Sequence, residues 1–484
     1  MPNSPISTSA ARVLLLHSND MHSHLEQAAK MSTYIAEQRR FYGTDRLLTL
    51  DIGDHMDRMR LETEGSDGLV NIALLNGAGY DAVTLGNNEG LTYTENVLER
   101  AYAKEARFAV LCANLKRSAD GKRPEWLLPG TVIRKGGLRF GLIGVTAAFS
   151  DFYSMLGWDA GDPVKAAAEQ VKALRPHADV MVLLSHLGLA FDKRIAEELN
   201  GIDLILGGHT HHLLEEPLVV RGTTICAAGK FGDQIGRVEI DIDPVSSRPV
   251  FLASCVPIAA YAEDAEAAAV IGRFRETGAR LLSRTVARLG MALPASAERE
   301  SPLGNLLAAG LRRWTEAEIG IVNAGQLLGG LAAGDVTAAQ LHALCPSPIN
   351  PCRMRLSGAH IRRALEESLL PEFVGMPIRG FGFRGHQLGT LAVDGLVVHY
   401  DPDGPPMGKL MDVRAADGPL DDGRLYTVGT IDMFTFGIGY ESLKQGLEIR
   451  YYLPEFIRDV LAEELGREER IGDAARLRWV QAGR

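Results

Sequence analysis

The chain has 484 residues, which is long for one domain and suggests two or three. Apolar residues make up 46% and charged residues 23%, the balance of a globular protein with a large core rather than of a disordered chain. A formal net charge of −10 argues against a binder of nucleic-acid polymers, but it leaves anionic small molecules open, because bound metal ions set the local charge.

The five cysteines are Cys112, Cys226, Cys255, Cys345 and Cys352. They form no C-x-x-C pair and their number is odd, so neither a disulfide framework nor a zinc-thiolate site is expected. "VLLLH" near the start is too short for a signal-peptide core, and no apolar run reaches membrane-spanning length. The expectation is a cytoplasmic protein that does not enter a membrane.

From residue 11 to about 245, short apolar runs alternate with helix-like stretches. "RVLLLHSND", "LLTLDIGDH", "AVTLGNNEG", "FAVLCANL", "RFGLIGVT", "VMVLLSHLG" and "IDLILGGHTHH" read as buried strands ending in polar residues. Helical patterns lie between them, at 26–40 and 164–175. "TTICAAGKFGDQIGRVEIDID" reads as closing antiparallel strands. From 262 to 286, Val270, Ile271, Phe274, Leu281 and Leu282 fall near helical spacing and predict one connecting helix. The remainder mixes helices ("PLGNLLAAGLRRW") with strands ("GLVVHYD"). The expected division is therefore 1–260, a linker helix over 261–286, and a second α/β or α+β domain over 287–484.

The chemistry gathers where the strands stop. The first ends at Asp20, followed by His22; the second at Asp54; the third at Asn87 and Asn88. Later strands end at His186 and at His209 and His211. Ligands of open α/β sheets collect at the carboxyl ends of strands. Each residue alone has an ordinary explanation, since Asp and Asn make turns and caps. Five strands delivering such residues to one rim do not. Nitrogen and oxygen donors without thiolate suit Mn, Fe, Co or Zn. With Asp20 and Asp54 as the charged ligands, two divalent ions leave a site charge of about plus two, which attracts phosphate.

"NDMHSHL", "DIGDHMD", "GNNEG", "SHLG" and "GGHTHH", in this order, resemble the calcineurin-like metallophosphoesterases, specifically the 5′-nucleotidase/UDP-sugar hydrolase family. "SPLGNLLA" and "YTVGTIDMFTFGIGYESL" resemble that family's C-terminal substrate domain. The resemblance implies a four-layer α/β/β/α sandwich joined by a helix to a smaller α/β substrate-binding domain. It implies two divalent metal ions, one held by Asp20, His22, Asp54 and His211, the other by Asp54, Asn87, His186 and His209, with Asp54 bridging. His212 is read as a neighbour. The implied reaction is hydrolysis of a small phosphate ester, most concretely a nucleotide, by a hydroxide attacking phosphorus in line at the metals. The substrate would enter a cleft between the two domains.

The departures define a GNNE-type branch. The family usually has His where this chain has Asn88, and asparagine can donate a hydrogen bond but supplies no titrating proton. His24 and His55, each beside an expected ligand, are candidates to compensate. In the second domain Asn323 is kept, but the family's nearby arginine is absent, and "CPSPINPC" stands where a base-stacking aromatic is usual. Tyr440 matches the second stacking position, and Arg353 or Arg355 could meet a phosphate. These departures keep two other functions open. One is a phosphodiesterase or pyrophosphohydrolase acting on better leaving groups; the other is a binding protein with little turnover.

Overall fold

The structure, a computed structural model, describes residues 12–482. The chain divides between Gly278 and Ala279 into two compact units. Among the described residues no helix is long and apolar enough to cross a membrane.

The first unit holds two large sheets. The seven-stranded sheet runs Pro249–Pro257, Gln234–Ile242, Val13–Ser18, Leu47–Asp51, Ala82–Thr84, Ala109–Leu111, Leu127–Leu128. The six-stranded sheet runs Leu218–Val220, Thr223–Cys226, Leu204–Gly207, Val180–His186, Leu138–Thr146, Gly130–Lys135. Strand side chains alternate between faces, and this period builds the layers. Val13 and Leu15 point into a core with Leu48, Phe140, Val182, Leu184 and Leu206, which lies between the sheets. Leu14 and Leu16 point the other way, onto the helices Leu25–Tyr42 and Leu69–Ala78. On the second sheet, Met181 and Leu183 meet the helices Pro163–Leu174 and Leu189–Glu198 through Ala167, Val171 and Ile195. Helix, sheet, sheet, helix is the four-layer order that the resemblance implies, with both sheets buried on two faces as the continuous apolar runs predict.

The two expected antiparallel strands, Thr223–Cys226 and Gln234–Ile242, fall in different sheets. The former joins the six-stranded sheet, antiparallel to Leu218–Val220 and parallel to Leu204–Gly207. The latter joins the seven-stranded sheet, antiparallel to Val13–Ser18. The segment between them, containing Gly229 and Gly232 at positive φ, carries the chain from one sheet to the other. Nothing in the pattern of the two strands distinguished one sheet from two.

A helix spans Ala265–Leu282 across the division between the units. Ala267 and Ile271 are buried with the helix-side core of the first unit, and Val270 and Phe274 pack beside it. Leu281, near its end, is exposed.

The second unit has a five-stranded sheet in the order Leu391–Asp394, Ile319–Asn323, Leu425–Ile431, Pro351–Ser357, Leu447–Tyr451. A four-stranded sheet runs Gly418–Pro419, Leu410–Ala415, Leu396–Tyr400, Trp479–Gln481. The helices Pro302–Trp314 and Ile457–Leu465 contribute Leu306, Leu307, Leu311, Val460 and Leu461 to its core.

Candidate metal centre

The five strand ends meet along one edge of the paired sheets. Three strands of the first sheet, Val13–Ser18, Leu47–Asp51 and Ala82–Thr84, run parallel and release their chains on the same side. The loops that follow are laced by backbone hydrogen bonds: Asp20 N to Gly53 O, His22 N to Asp54 O and Ser23 N to His55 O, all within 3.0 Å. His186 ends its own strand, and Gly207 ends the strand before His209 and His211.

Two tight groups of donor atoms result. Asp20, His22 and His211 form one, and Asp20, Asp54 and His186 the other. The Nε2 atoms of His22 and His211 lie 3.2 Å apart, and His211 Nε2 is 3.5 Å from Asp20 Oδ1. Asp54 spans the groups. Its Oδ1 is 3.4 Å from His186 Nε2, and its Oδ2 is 4.0 Å from His22 Nε2. Asn87 Oδ1 joins the second group, 3.3 Å from His186 Nε2 and 2.9 Å from His209 Nδ1. All seven residues expected as metal ligands therefore converge. Asp20 as well as Asp54 stands between the groups, a sharing that the motifs alone did not indicate.

The electrostatics fit divalent cations. Asp20 and Asp54 are buried side by side, and imidazoles face them rather than lysine or arginine. Burial raises the Asp54 carboxyl, but the charge and hydrogen bond of His186, with His22 and the Asn88 N–H, hold it below the usual carboxylate range. Burial opposes a charged His186, yet Asp54 and Asp20 push it up to about 10. Burial pulls His209 down to about 4. A cluster of carboxylates and imidazoles whose lone pairs converge within 4.8 Å matches the N/O donor set of borderline divalent metals.

The backbone is held in a costly form here. Asp20, His22, Asp54, His209 and His211 all have φ between 44° and 72°. Left-handed backbone costs a non-glycine residue about 1–2 kcal/mol, and such strain concentrates at functional sites.

Outer contacts fix the candidate ligands. His186 Nδ1 lies 2.7 Å from Ile52 O, which leaves Nε2 toward the site. Asn19 donates to Asp20 Oδ2 and to Gly229 O, and its own oxygen accepts from Ala228 N. Glu89 is buried and accepts from the N–H groups of Asp54, Met56 and Gly86 at 2.8–3.0 Å. Burial, then the Asp54 charge, raise it to about 7. The positioning roles of Asn19 and Glu89 were missed in the sequence. The signal for Glu89 was its place three residues after Gly86, the capping-box position.

Asp192 lies behind the centre. It accepts from Ser185 Oγ at 2.5 Å, and burial raises it to about 7. An unfolded aspartate titrates near 3.9, so between about pH 4 and 7 the folded state holds the extra proton. Stability from this group is lost as pH rises through that window. Asp192→Asn is expected to flatten the slope, as read from urea midpoints in chelator at pH 5 and pH 8.

The remaining expected residues fall differently. Asn88 sits at the rim; its N–H donates to Asp54 Oδ1, and its Nδ2 lies 3.0 Å from both Met56 O and His22 Nδ1. His24 is beside the centre, stacked on Phe231 at 4.2 Å between ring centroids. His55 is turned inward. Its Nδ1 meets Asn71 Nδ2, and its ring lines an internal cavity with Met31, Ile35, Leu74 and Tyr80. His212 is exposed and faces Thr210 Oγ1.

In the second unit, Tyr440 is a core residue rather than an exposed platform. Its hydroxyl donates to Gly389 O, and its ring packs on Phe373 and Phe434. Asn323 is fully buried; its amide donates to Leu388 O, and its oxygen accepts from Gln326. Arg353 reaches Thr315 O, and Arg355 pairs with Glu448. Each of the four thus has a partner within the fold, and the structure does not gather them around an open site.

Comparisons agree with this geometry. Residues 13–213 match the calcineurin-like phosphoesterase family model, and residues 271–445 match the 5′-nucleotidase C-terminal domain. The chain is 36% identical over 459 residues to YunD, an uncharacterized metallophosphoesterase of Bacillus subtilis, covering 94% of this chain and 99% of that protein. It is 25% identical over 471 residues to the 5′-nucleotidase of Mus musculus, covering 84% and 78%. The NAD nucleotidase NadN of Haemophilus influenzae shares the fold, with a TM-score of 0.67 and 17% identity over 97% of each chain. The chain therefore belongs to the calcineurin-like phosphoesterases that carry a 5′-nucleotidase C-terminal domain, and it is a metal-dependent phosphoester hydrolase.

Proposed function

We propose that the chain hydrolyses a nucleotide, or a closely related small phosphate ester, as a 5′-nucleotidase-like enzyme. Asp20, His22, Asp54 and His211 would hold one divalent ion, and Asp54, Asn87, His186 and His209 a second. The observation that carries this reading is the convergence of these seven donors from five strand ends. Ions held there would supply Lewis acidity toward the phosphoryl oxygens. The nucleotide class draws its support from the matched C-terminal domain and from the 5′-nucleotidases among the relatives. The five free thiols support a cytoplasmic setting.

The chain's own residues shape the reaction. Asn87 and the His209 ring orient each other at 2.9 Å, and the His209 N–H is tied to Asp20. Phe149 and Phe231 lie against His209 and His22, limiting water at the flanks. Proton delivery to a leaving oxygen falls to His24, since Asn88 cannot supply it and His55 faces the interior. His24→Asn is expected to lower turnover of alkyl phosphates about 10-fold more than that of aryl phosphates, whose leaving oxygens need no proton. His55→Asn is expected to affect both equally. Equal losses for His24→Asn would remove it from this role.

The amide of Asn88 favours a second reading, as a phosphodiesterase or pyrophosphohydrolase, because such substrates leave more easily. A panel of nucleoside mono- and diphosphates, sugar nucleotides and aryl mono- and diesters separates the two, assayed with Mn²⁺ and again with excess chelator. Chelator-sensitive phosphate release from nucleoside monophosphates supports the nucleotidase. Cleavage confined to diesters and diphosphates supports the second reading. Absence of turnover in folded, metal-loaded protein contradicts both.

A further inference from the structure

Asn88 and Asp57 both face His22 Nδ1, and they make opposite demands on its proton. Asn88 Nδ2 lies 3.0 Å away, and Asp57 Oδ2 lies 3.7 Å away on a buried carboxylate. Asn88 Nδ2 also donates to Met56 O at 3.0 Å, which fixes the amide with its nitrogen toward His22. An amide N–H can donate only to an unprotonated Nδ1. In a neutral ring the proton then sits on Nε2, the atom facing Asp20, Asp54 and His211. A ring in that form cannot offer Nε2 to a cation.

We propose that Asp57 is the positioning residue that turns His22 into a metal ligand. The inference rests on the functional reading above, because it assumes a cation between His22, His211 and Asp20. With Nε2 engaged, Nδ1 carries the proton and needs an acceptor. Turning the Asn88 amide over would set its oxygen against Met56 O, so Asn88 is a poor one. Asp57 is the acceptor the loop presents. At 3.7 Å the pair is not yet a hydrogen bond, and a ring movement of about 1 Å closes it.

Asp57 is built to receive it. Its backbone N–H donates to Ser23 Oγ at 2.7 Å, and its Oδ1 accepts from Met59 N at 2.9 Å. Oδ2 is thereby aimed at the ring. A carboxylate there makes the imidazole a stronger donor and balances the charge, as outer carboxylates do for metal-bound histidines. Asn88 keeps a different task. Its backbone N–H holds Asp54 Oδ1, a contact that no side chain at position 88 changes.

The test is Mn²⁺ binding by full-length protein, followed by calorimetry, with imidazole nitrogen chemical shifts as a second readout. Asp57→Asn is expected to weaken the ion at the His22 position about 10- to 100-fold and leave the ion at Asn87 unchanged. Asn88→Ala is expected to leave the affinity at the His22 position within about threefold, because its amide can donate to Nδ1 only in the metal-free ring. In metal-loaded wild type the His22 proton is expected on Nδ1. Asp57→Ser serves as the second variant should Asp57→Asn fail to fold, and melting in chelator checks both. Wild-type affinity at both positions in a folded Asp57 variant overturns the inference, as does an Asn88→Ala loss equal to that of Asp57→Asn. Wild type that takes up no Mn²⁺ at all overturns the functional reading along with it.

Discussion

Asp54→Ala is expected to abolish binding of at least one metal ion and to lower phosphate release more than about 100-fold, the upper end of what losing an outer partner costs. Its carboxylate is the part of the centre that faces both donor groups, His186 through Oδ1 and His22 through Oδ2. It also accepts the Asn88 N–H at 2.7 Å, so one side chain ties together the loops that follow three other strands. No neighbouring group replaces it, because Asp20 is already tied to the His209 N–H and to Asn19. Metal content after dialysis and single-substrate kinetics check the two parts separately. A variant that keeps two ions per chain would show that Asp20 alone can join the groups.

Gly86→Ala is expected to do comparable damage from a position that carries no donor. A Cβ at Gly86 would fall inside contact distance of Asp54 Oδ1 and Asp54 N, and a Cβ at Gly53 would overlap the Gly86 backbone. The two loops touch backbone to backbone, and Gly53 has a φ of +88° that only glycine adopts cheaply. Forcing them apart moves Asp54 away from His186 and strains the three N–H groups gathered on Glu89. Overpacking of this kind costs about 1–3 kcal/mol of stability. Near-attack geometry tolerates little displacement, so activity should fall about 100-fold in protein that still folds. Circular dichroism, metal content and turnover measured together distinguish this from unfolding. Wild-type turnover would mean that the loops separate without cost.

How much of this was legible follows from where each signal is stored. Burial of the sheets on both faces was legible because alternate residues of one strand, Val13 and Leu14, must face different layers, and both are apolar; the order of four layers came from the family resemblance alone. The donor set was legible because Asp20, Asp54, Asn87, His186 and His209 follow apolar runs, and a run that stops marks a strand end. The left-handed backbone at five of the candidate ligands was not, because aspartate and histidine carry no mark of their φ in sequence. Nor was the inward turn of His55, since adjacency to Asp54 in the chain says nothing about side-chain direction in a loop. Tyr440 failed for a related reason. Its motif position resembles a stacking site, yet Phe373, which packs against it, lies far earlier in the chain. Asp57 went unnoticed because its partner His22 comes from a different loop.

Anomalous diffraction from crystals soaked in Mn²⁺ is the measurement that decides whether the centre holds two ions. Two peaks are expected in the first unit. One lies among Asp20, His22 and His211, the other among Asn87, His186 and His209, with Asp54 reaching both. A single peak, or peaks away from these residues, would contradict the two-metal centre on which the proposed hydrolysis depends.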